Sequence, residues 1–495
     1  MKLSQIFSGI PVTIEKETGD REIAGSTCDS RRVGPGWVFV CIRGTGEDGH
    51  RYAAQAEKAG AAAIVAEEAI GCPGCTGSAA PVLVPSARPV WAQMCANWFG
   101  RPGERLHLIG VTGTNGKTST TYMLKAVLEA YGQKVGLIGT IQNMIGERVL
   151  PSAHTTPDPY DLQSMLALMA AEGCTYAVME VSSHALDQER VGGCLFDAAV
   201  FTNLTQDHLD YHGTMENYLA AKKKLFTLCR HAVVNADDPW TEKLTEGLTC
   251  PIVTYSAHLD QADYTAKNVR PRPDGVDFEL VGTAQIGRVR LAIPGLFSVY
   301  NALAAAACGL TLGLPFDRLV DALCHAKGVK GRAEIVPTGQ DFTVVIDYAH
   351  TPDGLEKICK TMRECCHGRL VTLFGCGGDR DKGKRPKMAA AAAALSDYLV
   401  ITSDNPRTEE PEAIIRDILT GLPADGGKAA CPPYTVIPNR VEAIHWAIRN
   451  AQPGDTLLLA GKGHETYQVL KDGVIHLDER EVVADALKER ASAEE

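Results

Sequence analysis

Short runs of apolar residues alternate with amphipathic segments along most of the chain, a pattern that predicts strands alternating with helices. The clearest example begins with residues 106–111, an apolar run of strand length. Residues 112–119 follow as a turn that contains two glycines, and residues 120–131 then place Met123 and Val127 at helical spacing. This stretch is therefore predicted to fold as strand, turn and helix, and the rest of the chain is organised around it.

The same alternation recurs on both sides of this stretch and predicts helices that wrap a mostly parallel sheet. Further strands are predicted at 36–40, 62–66, 135–139, 176–181, 198–203, 232–235, 342–347, 369–374, 398–402 and 456–460, with a weaker candidate at 291–294. Further helices are predicted at 52–59, 301–312 and 389–395. Glycine and proline indicate a linker at 98–104, and glycine with lysine and arginine indicates a second linker at 327–332. The charged tail 486–495 is expected to fray.

Residues 112–119 have the composition of a phosphate-binding loop. The backbone N–H groups of a glycine-bearing turn and the N-terminus of the following helix attract an anion. Lys117 can reach the outer phosphates of a nucleotide, and the Thr118 hydroxyl can bind Mg²⁺. Val111 stands where the general pattern has glycine, so the match is imperfect. Because Gly-Lys-Thr here follows a strand and opens a helix, we expect a nucleotide site rather than a purely structural turn.

A length of 495 residues suggests about three domains. The predicted fold class is α/β with three domains. They are a small N-terminal α/β domain at 1–100, a central P-loop-type ATPase domain with a mostly parallel sheet at 101–331, and a C-terminal Rossmann-like α/β domain at 332–495.

Composition narrows the class of protein further. Hydrophobic residues make up 45% of the chain and charged residues 22%, as in ordinary globular proteins. The net charge of −11 argues against nucleic acid as a partner, and no apolar run approaches the roughly 18 residues of a membrane span. A cytoplasmic location is expected because no signal peptide opens the chain. The 16 cysteines are expected to be reduced; zinc at Cys72 and Cys75 would need two further ligands that the sequence does not identify.

Candidate ligands for a cation follow the strands of the central domain. Glu180 ends an apolar strand at the edge where parallel sheets bind ligands, so it can reach Mg²⁺ at the phosphate loop; a solvated strand-end glutamate is the alternative. His208 lies in a segment rich in possible ligands and either joins that site or belongs to a surface cluster. Lys222 begins a run of three lysines, and most such runs are simply solvated.

Three glycine-bearing, charged loops follow strands of the third domain, at 374–386, 403–407 and 460–467. One such loop is an ordinary turn, but three at successive strand ends indicate a binding edge. Arginines in two of them offer the planar fork that recognises carboxylates. In the first domain, Ser30 lies beside two arginines and either contacts a phosphate or uracil or belongs to a solvated loop.

The stretch 112–118 resembles the nucleotide loop of the Mur ligases, the ATP-dependent enzymes that add amino acids during peptidoglycan synthesis. The departure at Val111 is shared by that family, and the resemblance runs through all three domains. It implies that ATP contacts Gly113, Thr114, Asn115, Gly116, Lys117, Thr118, Ser119, Asn301, Arg332 and Asp347. It also implies that Mg²⁺ is held by Thr118, Glu180, His208 and a carbamylated Lys222, so that Lys117, Lys222, Glu180 and His208 form the catalytic set.

The resemblance further implies two small-molecule substrates, with no nucleic acid, no membrane and a monomeric enzyme. UDP-N-acetylmuramoyl-L-alanyl-D-glutamate would contact Ser30, Thr155, Thr156, Ser182, Gln188 and Arg190. meso-Diaminopimelate would contact Arg385, Asp404, Asn405, Pro406, Arg407, Gly461 and Glu465. Diaminopimelate has a distal carboxylate and a distal ammonium, which Arg407 and Glu465 match in sign, whereas lysine would leave Arg407 facing a cation.

The expected reaction is therefore the ATP-dependent addition of meso-diaminopimelate through an acyl phosphate. Two alternatives remain open at this point. One is the same ligation with L-lysine or another amino acid, and the other is a nucleotide-binding protein that senses muropeptides without ligating them.

Overall fold

The computed structural model describes residues 1–44, 46–69, 75, 77–272, 275–423 and 431–494. The chain divides into two compact units, Met1–Thr254 with Ala307–Gly313, and Tyr255–Ala306 with Leu314–Glu495. Among the described residues, no helix is both long and apolar enough to cross a membrane.

The first unit begins with a small sheet of four parallel strands in the order β1-β2-β3-β4. The strands are β1 (Gly25–Thr27), β2 (Trp37–Val40), β3 (Ala63–Ala66) and β4 (Ala80–Leu83). The helices of this part are α1 (Leu3–Ile6), α2 (Lys16–Gly19), α3 (Ala53–Lys58) and α4 (Ala87–Trp98). The predictions of strands at 36–40 and 62–66 and of a helix at 52–59 are confirmed.

The second sheet of this unit is mostly parallel and has β5 at its centre, in the order β11-β10-β5-β9-β6, with β7 and β8 added antiparallel at one edge. The strands are β5 (His107–Thr112), β6 (Val135–Ile138), β7 (Asn143–Ile145), β8 (Arg148–Leu150), β9 (Tyr176–Glu180), β10 (Phe196–Phe201), β11 (Cys229–Asn235) and β12 (Ile252–Ser256). The helices are α5 (Lys117–Ala130), α6 (Pro159–Ala171), α7 (Ser183–Asp187), α8 (Leu209–His212), α9 (Met215–Lys223) and α10 (Thr241–Thr245). Because β5, β6, β9 and β10 are parallel, their carboxyl ends meet at one edge of the sheet.

Helix α5 confirms the predicted apolar face, since Met123, Leu124, Val127 and Leu128 are all buried. The helix starts at Lys117, three residues before its predicted start. Gly116 explains the difference, because its left-handed backbone (φ +86°) turns the chain directly into the helix.

The second unit contains an antiparallel meander of β13 (Tyr264–Arg272), β14 (Gly275–Gly282) and β15 (Gln285–Leu291), together with α12 (Phe316–His325). Helix α11 (Leu296–Thr311) belongs to this unit as far as residue 306. The strand predicted at 291–294 is wrong, because only Leu291 is extended. The actual strand β15 carries exposed polar residues along its length, which conceal its pattern in the sequence. Helix α11 begins five residues before its predicted start at residue 301.

The C-terminal sheet has the order β16-β17-β21-β18-β19-β20 and is parallel except for β16. The strands of this part, including a separate hairpin of β22 and β23, are β16 (Glu334–Val336), β17 (Thr343–Asp347), β18 (Leu370–Phe374), β19 (Tyr398–Ile401), β20 (Tyr434–Val436), β21 (Thr456–Ala460), β22 (Tyr467–Leu470) and β23 (Gly473–His476). The helices are α13 (Pro352–Cys365), α14 (Lys384–Leu395), α15 (Pro411–Leu419), α16 (Arg440–Arg449) and α17 (Glu479–Glu494).

Two further expectations from the sequence are wrong. The tail 486–495 was expected to fray, but residues to 494 belong to α17, where Val483 and Ala486 are fully buried. A fully reduced set of cysteines was also expected, but Cys75 is disulfide-bonded. Cys72, the other member of its C-x-x-C pair, lies outside the described residues.

Candidate active site

The turn between β5 and α5 is packed closely against the residues that follow β10. Gly113 has a left-handed backbone (φ +151°), and a Cβ there would lie 1.8 Å from Thr202 Oγ1, so only glycine fits. The Thr114 and Asn115 N–H groups donate to the Asn203 carbonyl and side-chain oxygens, each at 2.9 Å. These bonds fix the loop against the segment that follows β10, at the positive end of α5.

Lys117 is the first residue of α5 and is half-buried. Its Nζ donates to the Gly113 and Thr114 carbonyl oxygens at 2.8 Å each, which folds the side chain back over the loop. Ser119 lies in the same first turn. Val111, which departs from the general pattern, is a buried residue of β5, so its side chain belongs to the core.

Glu180 ends β9 beside the phosphate loop and is only 1% exposed. Its Oε2 accepts hydrogen bonds from the Thr118 and Thr140 hydroxyls at 3.0 Å each, and its Oε1 accepts one from the Thr140 N–H at 2.9 Å. A Cβ on residue 139 would lie 2.5 Å from Oε1, so Gly139 makes room for the carboxylate. The solvated alternative for Glu180 is therefore wrong.

Lys222 is also buried, so the interpretation of the lysine run as solvated is wrong for this residue. Its Nζ lies 4.4 Å from the centroid of the Tyr218 ring, and the Tyr218 hydroxyl lies 3.2 Å from Thr114 Oγ1. Burial lowers the pKa of the Lys222 ammonium well below its ordinary value, and the charge of Lys117 lowers it further. Burial therefore favours the uncharged form of this amine.

His208 is also a neighbour of Tyr218, with ring centroids 6.1 Å apart, and its ring meets that of His184 edge-on at 4.9 Å. Its side chain is 46% exposed. Of the four predicted metal ligands, Thr118 and Glu180 are thus in direct contact, whereas His208 and Lys222 share Tyr218 as a neighbour. In the part of the chain that the structure describes, no group of three or more His, Cys, Asp or Glu side chains is clustered tightly enough to hold a metal ion.

Most residues predicted to contact the muramoyl peptide form one network beside Glu180. Thr156 Oγ1 donates to the Glu180 carbonyl at 2.9 Å and accepts from the Ser182 N–H at 3.0 Å. Arg190 donates to the Thr156 carbonyl and to Gln188 Oε1, both at 2.9 Å. Two predicted contacts remain. The Thr155 hydroxyl lies 3.0 Å from that of Thr140, whereas Ser30 lies in a short 3₁₀ helix outside this network.

The loops that follow β19 and β21 meet in the third domain. Asn405 Nδ2 donates to Glu465 Oε2 at 3.0 Å. Arg407 has a left-handed backbone (φ +54°) and donates to the Gly378 carbonyl at 2.8 Å. Gly461 (φ +114°) leaves room for Asp404, whose Oδ2 would lie 2.6 Å from a Cβ at that position. These two loops therefore form one polar site. Pro406 lies between Asn405 and Arg407, whose side chains donate these hydrogen bonds.

Arg385 lies beneath these loops and is 1% exposed. Its guanidinium is bound by Glu409 at 2.8 Å and by Asp417 at 2.8 Å, so its charge is already compensated. A direct contact between Arg385 and an amino acid stays a prediction.

The residues predicted for the nucleoside part of ATP lie in the second unit. The Arg332 guanidinium stacks on the Tyr348 ring at 4.7 Å. Asp347 accepts from the Ala333 and Ala349 N–H groups at 2.7 Å each, and burial raises the pKa of its carboxyl. Asn301 is a buried residue of α11.

Sequence reasoning missed four residues that support these sites: Thr140, Asn203, Tyr218 and Lys462. Thr140 and Asn203 follow β6 and β10 at the same edge as the phosphate loop, so strand-end position could have identified them. Tyr218 and Lys462 are identified only by their contacts in the folded chain.

A glycine-bearing loop between a parallel strand and a helix, with a lysine at the helix start and a carboxylate on the adjacent strand, defines a nucleotide-binding domain of the P-loop class. Residues 22–86 match the catalytic domain of the Mur ligase family, residues 111–309 match the Mur ligase middle domain, and residues 331–463 match the Mur ligase glutamate ligase domain. The chain belongs to the Mur ligase family. The prediction of an ATP-dependent, amide-forming ligase is confirmed at the level of this family.

Three known proteins illustrate the similarity. A UDP-N-acetylmuramoyl-L-alanyl-D-glutamate–2,6-diaminopimelate ligase of Caldanaerobacter subterraneus subsp. tengcongensis is 48% identical over 491 residues, or 99% of each chain. A solved structure of a ligase with the same name superposes with a TM-score of 0.73 at 32% identity and covers 99% of each chain. The MurF ligase of Thermotoga maritima, solved with ADP, shares the fold at a TM-score of 0.60 and 18% identity, covering 97% of this chain and 100% of its own. The predicted three-domain α/β fold class is confirmed; its exact boundaries stay a prediction.

Proposed function

We propose that this protein uses ATP to join meso-diaminopimelate to UDP-N-acetylmuramoyl-L-alanyl-D-glutamate in peptidoglycan precursor synthesis. The observation that carries the proposal is the polar site of the third domain, where Arg407 and Glu465 carry charges of opposite sign and both bond to Asn405. A substrate with a distal carboxylate and a distal ammonium is complementary to this pair. The names of the most similar relatives support the same substrate.

The proposed reaction has three steps. The D-glutamate carboxylate attacks the γ-phosphorus of ATP, which forms an acyl phosphate and releases ADP. The amine of diaminopimelate attacks the acyl carbon, and the tetrahedral intermediate then expels phosphate and loses a proton to give the amide. Two anions approach each other in the first step, so the Lys117 ammonium and the positive N-terminus of α5 stabilise the charge that is redistributed.

The Thr118 hydroxyl and the Glu180 carboxylate are hard oxygen donors in contact with each other, and this donor set fits Mg²⁺. When bound, the ion would neutralise phosphate charge. We keep His208 and Lys222 as further proposed ligands. The lowered pKa of Lys222 supports its carbamylation, because an uncharged amine can add to carbon dioxide and the product is an oxygen ligand.

The remaining predicted contacts complete the proposal. The network of Thr155, Thr156, Ser182, Gln188 and Arg190 would position the muramoyl peptide near the phosphate loop, and Ser30 would contact the uridine part. Asn301, Arg332 and Asp347 would contact the adenosine part of ATP. We also propose that the protein acts as a monomer in the cytoplasm.

The test is phosphate release from ATP in the presence of the UDP-muramoyl dipeptide and, separately, meso-diaminopimelate, L-lysine or L-ornithine. Release only with diaminopimelate is expected. Release with lysine instead would keep the ligase mechanism and refute the specificity given to Arg407 and Glu465. No release with any amino acid would refute ligation and favour a protein that senses muropeptides.

A further inference from the structure

Five charged residues belong to the third-domain site as described above: Arg385, Asp404, Arg407, Lys462 and Glu465. Of these five, only Lys462 is completely buried (0% exposed). Its Nζ donates to Glu465 Oε2 at 2.8 Å and to Asn405 Oδ1 at 3.1 Å. Burying an ammonium is costly unless it is paired, so these two contacts are the reason it is tolerated. Lys462 therefore acts on two residues of the site without facing solvent.

The first effect is on Asn405. Its Oδ1 accepts from Lys462 Nζ and from the Val469 N–H at 2.9 Å, which uses both acceptor positions of the oxygen. The amide can then present only its NH₂ group to Glu465 and to the site. Lys462 thus sets which end of the Asn405 amide a ligand meets.

The second effect is on Glu465. Its Oε2 already receives Lys462 and Asn405, whereas its Oε1 accepts no hydrogen bond from any described residue. Oε1 is therefore available to an incoming ammonium. The charges of Lys462 and Glu465 cancel, which leaves Arg407 as a cation with no carboxylate within ion-pair distance among the residues that the structure describes.

We propose that Lys462 is a positioning residue that determines amino-acid specificity. By neutralising Glu465 and fixing Asn405, it favours a substrate whose distal end carries both an ammonium and a carboxylate over one whose distal end is only cationic. The inference rests on the proposed ligation and deepens it. Without the Lys462 charge, the net charge of the site would be more negative by one, and a purely cationic end would be accepted more readily.

The experiment compares kcat/KM for meso-diaminopimelate and L-lysine in Lys462→Met, which keeps the length of the side chain and removes its charge. The ratio of diaminopimelate to lysine should fall at least about tenfold, the size of one charge-assisted hydrogen bond. Lys462→Arg should keep most of the ratio, and Lys462→Met combined with Glu465→Gln should recover most of it because the pair is again neutral. Lys471→Met, which removes an exposed lysine of the neighbouring turn, is the matched control and should leave the ratio unchanged.

An equal loss for both amino acids, or an unchanged ratio in Lys462→Met, would overturn the proposal and leave Lys462 a structural role only. If circular dichroism shows that Lys462→Met does not fold, the same kcat/KM comparison in Glu465→Gln tests the proposal instead. This variant leaves the Lys462 charge uncompensated, so it should impair L-lysine more than diaminopimelate, and an equal loss overturns the inference. A wild-type protein that ligates neither amino acid would instead refute the proposed function itself.

Discussion

Gly113 shows how tightly the phosphate loop is specified at the scale of one residue. A methyl group at this position would collide with Thr202 Oγ1, and Thr202 in turn donates to the Asn115 carbonyl at 2.6 Å. The loop is thus fixed from the neighbouring strand end, in addition to its own chain. A side chain at residue 113 would displace β10 from the loop or distort both.

Lys117 should be required for a fast first chemical step, the transfer of the γ-phosphoryl group. Lys117→Met removes the ammonium that stabilises charge on the transferred phosphate, so kcat should fall at least about a hundredfold. Phosphate release with saturating substrates measures the effect. Lys134→Met, at an exposed lysine of the same unit, should keep its activity. Undiminished ligation by Lys117→Met would refute the nucleotide site.

His464 should make the free energy of unfolding depend on pH. Burial and the nearby charge of Arg332 lower its pKa from 6.5 to about 4 in the folded chain. The unfolded chain therefore binds the proton first, and stability falls as the pH drops from 6.5 to about 4, by up to about 3 kcal/mol. Urea unfolding at several pH values should show this loss in the wild type and a smaller one in His464→Gln. Parallel pH profiles for the two proteins would contradict the assignment.

At the scale of elements, helix α16 connects the two loops of the proposed amino-acid site. Arg440 at its start is fully buried and donates to the Ser403 carbonyl at 3.1 Å, two residues after β19, and to the Ala460 carbonyl at 2.8 Å, at the end of β21. Its charge is compensated by Glu479 at 2.8 Å, the first residue of α17. Two helices therefore hold the strand ends from which the site's loops depart.

Removing Arg440 should destabilise this part of the chain. Arg440→Met leaves Glu479 as a buried charge without its partner, so the free energy of unfolding should fall by about 3–5 kcal/mol. Lys488→Met, which breaks an exposed ion pair on the same helix α17, should cost less than about 1 kcal/mol. Urea denaturation of both variants makes the comparison. A similar small loss in both would show that the buried pair contributes little.

Unfolding of the whole molecule should reflect its two compact units, each of which has its own hydrophobic core. Chains of this size rarely unfold in one step, so calorimetry should show more than one transition. Arg440→Met should lower only the transition of the unit that contains the C-terminal sheet. A single transition with equal calorimetric and van't Hoff enthalpies would contradict this expectation.

How far the sequence predicts the molecule depends on the length scale of the interactions. Most strands of the three mostly parallel sheets and the phosphate loop follow from local patterns, because apolar runs and glycine positions are local properties. The meander of β13–β15 and the packing of α17 do not follow from local patterns. Most residues there are polar, so the few apolar residues that are buried, such as Val483, form no recognisable pattern in the sequence. Lys462 was missed for a related reason, because its role depends on Asn405, which lies 57 residues away along the chain.

The bonds from Arg440 to Ser403, just after β19, and to Ala460, at the end of β21, have a consequence for how an amino acid is selected. Because both loops are hydrogen-bonded to the one buried guanidinium of Arg440, they cannot change conformation independently of each other when different amino acids bind. The site is therefore preorganised, and little conformational entropy is lost when the amino acid arrives. In the proposed ligase, discrimination between amino acids is therefore fixed by the structure of the unliganded protein, before any of them is bound.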